Sequence, residues 1–372
     1  MKNTISVTLY ETGDAITTWS GTKEAGTIAN ALSFDYPAYI PDPGNTSFYV
    51  QVSIYPDTGV PSAPATLAYS YDFYATCEST IVAMSNVTVP AGNFNTSATL
   101  CAGDSDRQSR VFIQNRSTVS TIRSLIASDH EVTQGEYGQY CKYGNSTSAP
   151  SGSTAGENFP AYSVNWYDAI VYCNLKTIND PALGISQCAY SLGGEKDPRN
   201  WSGLQGDADT GYCGPSANNA DWNGIAFNTS AKGWRLPTEA EWEFLARGGN
   251  LTSNNQTLYS GSDNVEDVSW YYSGTGSTSI HEVCTKEPNA LGLFDMSGNV
   301  SEWCWDRWNP SAQIYYNTEA TGITSGSYRL LLGGNYWSGA EGCQITYRNN
   351  QYQSPEVYSS LVTGFRVVRN AP

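Results

Sequence analysis

The residues of this 372-residue chain best suited to chemistry are its thiols, its few imidazoles and an aromatic run near the C-terminus. Nine cysteines stand at positions 77, 101, 141, 173, 188, 213, 284, 304 and 343, and no two form a Cys-x-x-Cys pair. Zinc ribbons and thioredoxin-type sites draw on that pair, so neither is expected. The odd count leaves at least one thiol free or intermolecular if the others pair. Cys188 and Cys213, which bracket a Gly/Asn/Asp-rich stretch, are well placed for a staple. His130 and His281 are the only imidazoles, and each reads as an ordinary loop or surface residue. With two histidines and no strained Gly-x-Ser-x-Gly elbow, a nucleophilic triad is not expected.

From Gly333 to Ser360 the chemistry turns from reaction to recognition. These 28 residues include four Tyr, one Trp, three Asn, four Ser and four Gly, with Glu341, Arg348 and Glu356 the only charges. Antibody loops use the same set: rigid amphipathic rings for contact area and small polar residues for adaptable hydrogen bonds. Tyr336-Trp337 and Asn349-Asn350 cannot both point inward from an extended segment, because neighbours alternate faces. Large aromatics left at a surface mark binding. The competing reading is a tyrosine-rich core, since 26 tyrosines are spread through the chain.

Lys and Arg number 19 against 35 Asp and Glu, a formal charge of −16. So acidic a surface repels phosphate, which argues against nucleic acid and anionic membranes as partners. No apolar run approaches the ~18–20 residues of a spanning helix. The start, Met1 to Val7, lacks the apolar stretch of a secretory signal. Either that export route is not used or the chain is a mature or trimmed form. Charged residues are only 15% and aromatics 13%, which suits loop-rich extracellular or virion proteins and not a disordered chain. The length suits two domains.

The elements that must position these residues are short. Residues 1–78 read as a β-rich spacer or attachment domain, a small sandwich or hairpin stack. Ile5–Tyr10 and Phe48–Ile54 alternate between Pro/Gly turns at Pro41–Gly44 and Pro56–Gly59. Residues 79–372 form the second domain. Thr133-Gln134-Gly135-Glu136 and Thr238-Glu239-Ala240-Glu241 are capping boxes, and Asn165 caps a helix from Trp166 to Cys173. Gly248-Gly249 closes the third helix. A polar excursion from about 178 to 231 predicts irregular loops.

Six blocks in order resemble the formylglycine-generating-enzyme (sulfatase-modifying-factor) domain family. They are Val89–Phe94 with Glu131–Tyr137, Pro160–Ala169, Trp234–Glu243, Asn289–Trp303, Gly333-Gly334 and Gly364-Phe365-Arg366. The resemblance implies an α+β, C-type-lectin-like fold, loop-rich, with a small twisted mixed sheet and two main helices. Fold does not fix function. Catalytic members hold copper through two thiolates after the Gly-Gly. Here Cys343 occupies the second position and Ser338 the first, and a hydroxyl does not replace a thiolate on Cu(I). No copper is expected, and no catalysis. An iron-dependent, His-rich branch of the superfamily needs more imidazoles than this chain has.

The same window resembles the variable region of diversity-generating-retroelement proteins, which sits on this fold and ends in Gly-Phe-Arg. By register, 333–366 is the variable region, with Gly333, Gly334, Ala340, Cys343, Arg348 and Gly364–Arg366 as fixed scaffold. The ligand-binding candidates are Tyr336, Trp337, Ser338, Gly339, Glu341, Gly342, Tyr347, Asn350, Tyr352, Ser354, Glu356 and Tyr358. The resemblance also implies a structural calcium held by the Asp295 and Glu302 carboxylates and the Gly298 and Val300 carbonyls; a loop held by hydrogen bonds alone is the alternative. Glu287-Pro288-Asn289 matches a lectin sugar tripeptide by coincidence with the Asn289 block. Asn299-Val300-Ser301 is a sequon inside a structural block, and Trp303 and Trp305 read as core. The expected function is capture of a protein or glycan ligand on a cell surface, by a chain located at a cell surface, outside the cell or on a virion. A diverged copper oxidase and a structural virion module remain the alternatives.

Overall fold

A computed structural model describes residues 2–11, 14–24, 48–56, 84–95, 119–141, 156–249, 257–274, 279–308, 322, 324, 326, 328–347 and 362–372. The chain divides into two compact units, Met1–Glu78 and Ser79–Pro372. In the first, Lys2–Glu11 lies between Asp14–Glu24 and Phe48–Pro56 in an antiparallel sheet. Its register sets Ile5 opposite Ile54, Val7 opposite Val52 and Leu9 opposite Val50, so the period-two patterns of the two strands are in phase. The strand Asp14–Glu24 carries too many polar residues to stand out in the sequence. The turn residues Pro41–Gly44 and Asp57–Gly59 lie outside the described residues.

The second unit is α+β, with short strands, short helices and long connections. All three capping motifs form. Thr133 and Glu136 exchange side-chain and backbone bonds around the helix Gln134–Tyr137. Thr238 and Glu241 do the same for Glu239–Ala246, and Asn165 and Asp168 for Trp166–Asn179. Each box satisfies two backbone N–H groups that a helix start leaves open. Gly248 and Gly249 follow the helix Glu239–Ala246 at φ 71° and 86°, a left-handed stop that costs glycine nothing.

Trp166–Asn179 is almost wholly buried and organises the larger core. Tyr137 stacks on Tyr172, and Phe365 meets both edge-on. Trp305 packs between Trp166 and Tyr190. Trp303 and Cys304 are also sealed, so the Trp303–Trp305 stretch is core as its composition suggested. The polar excursion resolves into fragments of two to four residues, such as Gln205–Asp207, Gly211–Cys213 and Ala220–Asn223.

Two sheets fix the C-terminal segment. Ser301–Trp308 pairs antiparallel with Tyr328–Leu332 and parallel with Thr363–Gly364. Glu302 stands opposite Leu332 on one side and Gly364 on the other. Val368–Asn370 then pairs with Leu125–Ser128, which also pairs with Asn86–Val89. Gly364 is demanded by packing, because a Cβ there would lie 2.6 Å from the Ala161 carbonyl oxygen and 2.7 Å from Val300 Cγ2.

Candidate binding surface and its framework

Arg366 and Glu302, both fully buried, form the charged centre of the framework. Arg366 Nη2 donates to Glu302 Oε1 at 2.6 Å and Nε to Oε2 at 2.7 Å, while Trp242 Nε1 donates to Oε2 at 2.6 Å. Arg366 Nη2 also reaches the Phe294 carbonyl at 2.9 Å. Glu131, equally buried, accepts from Asn299 Nδ2 at 2.8 Å and from the Val300 N–H at 3.0 Å. Asn299 needs φ 54°, a left-handed conformation that asparagine tolerates. Burial, then Asp295 and Glu302, hold the Glu131 carboxyl well above its usual range. Burial likewise pushes Asp295 up to about 6, against the Cys284 N–H that donates to its Oδ2 at 2.8 Å.

This arrangement bears on the calcium expectation at the Glu302 carboxylate. Calcium needs about six to eight oxygens with lone pairs to give. Asp295 and Glu302 do meet in one cluster, but both Glu302 oxygens are committed to Arg366 and one also to Trp242. A cation would have to evict the guanidinium already neutralising the pocket. The residues present do not fit the ion.

They do not fit copper either. Cys343 is wholly buried, and burial pushes its thiol up to about 12, so it is protonated near neutral pH. The Ser338 hydroxyl accepts the Asn335 N–H at 3.1 Å, closing a tight turn instead of facing an ion. Gly334, at φ 71°, lets the backbone pass close to the helical turn Ala340–Cys343 that follows: a Cβ there would lie 2.5 Å from the Gly342 carbonyl oxygen.

The turn places neighbouring aromatics on opposite sides. Tyr336 is 6% exposed and packs with Tyr162, Ile280, Val300 and Val362, whereas Trp337 is 54% exposed. Their rings meet edge-on at 5.4 Å between centroids. Gly339 and Glu341 are also exposed, Gly342 and Tyr347 half-buried, and Ser338 buried. Tyr336 and Ser338 therefore leave the contact set, because the fold uses one as core and the other as a turn clamp. Asn350, Tyr352, Ser354, Glu356 and Tyr358 lie outside the described residues.

A second aromatic stands beside Trp337. The Tyr272 N–H donates to the Ser338 carbonyl at 2.8 Å, and Tyr272 is 46% exposed. Of the four large apolar side chains exposed among the described residues, these two lie on adjacent backbones. The neighbouring Trp270 ring is held between His281, stacked at 3.6 Å, and the Lys286 ammonium at 4.4 Å. Tyr271 donates to Glu266 at 2.6 Å, which pushes its hydroxyl up to about 12. Tyr272 escaped the sequence reading, although the run Trp270-Tyr271-Tyr272 carries the same adjacency signal as Tyr336-Trp337.

Three smaller expectations change. Cys188 and Cys213 are reduced thiols and not a staple; the Cys188 thiol faces the Asn174 carbonyl at 3.7 Å. His130 is completely buried instead of lying at a surface. Asn299 is also fully buried, which removes its sequon from consideration, and Asn289 spends its amide on the Leu245 carbonyl and Ser260.

Comparison with known proteins agrees with this framework. Residues 75–371 match the sulfatase-modifying factor enzyme 1-like domain. Treponema denticola variable protein 1 superposes with a TM-score of 0.58 at 30% identity, covering 77% of this chain and 95% of that one. CarF shares the fold, with a TM-score of 0.52 at 24% identity over 78% of this chain and 99% of its own. A Paenibacillus barcinonensis protein named as chaperone LppX is 33% identical over 53% of this chain and 66% of its own length. The formylglycine-generating enzyme of Thermomonospora curvata is 31% identical over 39% of this chain and 52% of the enzyme. The chain thus spans less than two thirds of these two relatives. With the capping boxes, the Glu302–Arg366 centre and the Gly364-Phe365-Arg366 end all in place, this chain belongs to the sulfatase-modifying factor enzyme 1-like domain family, on a C-type-lectin-like fold, and is similar to the variable proteins within it.

Proposed function

We propose that this chain is a non-catalytic binding protein of the diversity-generating-retroelement variable type, which captures a protein or glycan ligand on a cell surface. The observation that carries the reading is the pair Trp337 and Tyr272, both exposed on segments joined by the Tyr272 N–H to Ser338 carbonyl bond, while the neighbouring Tyr336 is core. Rings held rigidly in water lose little entropy on binding and gain the whole area they bury. Residues 333–366 supply the changeable part and Trp270–Tyr272 a fixed edge. Such a role places the chain at a cell surface, outside the cell or on a virion. Catalysis has no support in the thiol positions, where Ser338 is a turn clamp and Cys343 a protonated core thiol.

The test is binding of the full chain to intact cells and to a glycan array, with Trp337→Ala and Tyr272→Ala compared with wild type. Loss of capture in both variants at unchanged melting temperature is expected. Undiminished capture in both would refute the surface. At the DNA level, a near-copy of the 333–366 coding segment differing only at adenines, beside a reverse-transcriptase gene, is the expected companion. Tight stoichiometric Cu(I) binding would return the oxidase reading.

A further inference from the structure

Away from the aromatic surface, three residues of different donor chemistry converge at the end of the strand Leu125–Ser128. One ligand-type atom each from Asp129, His130 and Cys284 lies within 4.8 Å of the other two. The sequence separates Cys284 from the other two by more than 150 positions, so only the fold brings them together. Oxygen, nitrogen and sulfur in one small cluster is the donor mixture of borderline-soft divalent ions.

Three further observations point to a ligand. His130 is 0% exposed, yet neither ring nitrogen makes a hydrogen bond of good geometry. Nδ1 has the Asp129 carboxylate as its near partner, whereas Nε2 has only a distant one. Its surroundings are anionic: Asp129 Oδ1 lies 2.7 Å from Nδ1, and Glu136 Oε2 lies 3.6 Å from Nε2. Cys284 adopts φ 62°, in the left-handed region that disfavours a residue bearing a Cβ. Such strain persists where the side chain has a task.

The cluster is also braced from outside. Asp129 Oδ1 accepts the Ser85 N–H at 3.0 Å, and the Cys284 N–H is anchored on Asp295. Glu136 is occupied by the Thr133 and Met84 N–H groups, which leaves it as an orienting neighbour. Cys284 is the only one of the described cysteines that is not fully buried.

We propose that Asp129, His130 and Cys284 bind one zinc-class divalent cation, which ties the loop carrying Cys284 to the end of the strand Leu125–Ser128. The ion displaces the protons held by the Cys284 thiol and the His130 imidazole, so no redox partner is required. Three protein ligands leave the remaining position to water.

The experiment uses the full chain under reducing conditions, titrated with Co²⁺ and then with Zn²⁺. One equivalent of Co²⁺ is expected to produce thiolate-to-cobalt charge-transfer absorption, which one equivalent of Zn²⁺ abolishes. Cys284→Ser should remove that band and weaken Zn²⁺ binding by about 100-fold or more, the upper range for losing even an outer-shell partner. Cys343→Ser should retain both. Absence of a charge-transfer band in the wild-type chain would overturn the proposal whatever the variants do. So would a Cys284→Ser protein that binds Zn²⁺ as tightly as wild type.

Discussion

Replacing Arg366 by methionine should be among the most damaging substitutions in the domain, and the structure says why. Arg366 is the cation bonded to Glu302 in a pocket that also holds Glu131 and Asp295, all buried. Methionine keeps much of the volume and removes the charge, leaving Glu302 with Trp242 as its polar partner from this group. A lone buried charge of this kind costs about 3–5 kcal/mol. An opposite charge ~4 Å away at an effective dielectric near 20 is worth about 4 kcal/mol, a consistent figure. Against a total stability of about 5–15 kcal/mol, that is a large fraction. Glu302→Gln should cost less, because Arg366 keeps Asp295 as a nearby anion and the Phe294 carbonyl as an acceptor. Urea unfolding followed by tryptophan fluorescence measures both, with the slope checked for unchanged two-state behaviour. The order also depends on pH. Acidification protonates Asp295, which burial raises to about 6, and lowers the negative charge left unbalanced, so the Arg366→Met deficit should shrink between about pH 7 and 5. If both variants lie within about 1 kcal/mol of wild type, or if the deficit grows on acidification, the reasoning is wrong.

Other expectations follow from single residues. Trp337 offers about 54% of a ~250 Å² side chain to a ligand, roughly 3 kcal/mol, so Trp337→Ala should weaken capture by about two orders of magnitude in a binding titration. Tyr336→Ala should instead lower the melting temperature, since that ring is core. Wild-type stability should fall as pH rises from 5 to 8. Burial raises Asp168 to about 7 and Asp295 to about 6, so across this window the folded state holds more protons than the unfolded one. A melting temperature that climbs over the same range would contradict this. Gly334→Ala forces a Cβ into a left-handed turn, which costs about 1–2 kcal/mol from the backbone alone, before its approach to the Gly342 carbonyl. Adding calcium to the chelated chain should leave its calorimetric melting temperature unmoved, because Arg366 occupies both oxygens of the Glu302 carboxylate the ion would need.

What could be read from the sequence was local. Thr133, Asn165 and Thr238 start helices through bonds to residues three positions on, so four-residue motifs sufficed. The opposed fates of Tyr336 and Trp337 followed from adjacency. The rest depends on contacts that close over long stretches of chain. Glu302 meets Arg366 across 64 residues, and Glu131 meets Asn299 across 168. Nothing in the composition near Glu302 distinguishes an arginine partner from a metal ion, so the sequence could not show that Arg366 takes both of its oxygens. His130 misled for a related reason: a polar residue between Asp129 and Glu131 reads as surface, yet the strand end that carries it runs into the interior. Tyr272 is not legible from the C-terminal segment alone, because the surface there is shared with a distant loop.

The double pairing of Glu302 has a consequence for how freely this protein can be rebuilt. Leu332 and Gly364 flank the same strand residue, so the stretch between them departs and returns about 10 Å apart, two inter-strand spacings. Because the framework fixes both anchor points, lengthening the intervening stretch is entropically mild: each doubling adds only about 0.6 kcal/mol. Insertions and deletions after the buried run Cys343–Ile345 should therefore be tolerated as readily as substitutions. Lineages of such proteins can then be expected to differ in reach as well as in side chains, while the anchors on either side of Glu302 stay put.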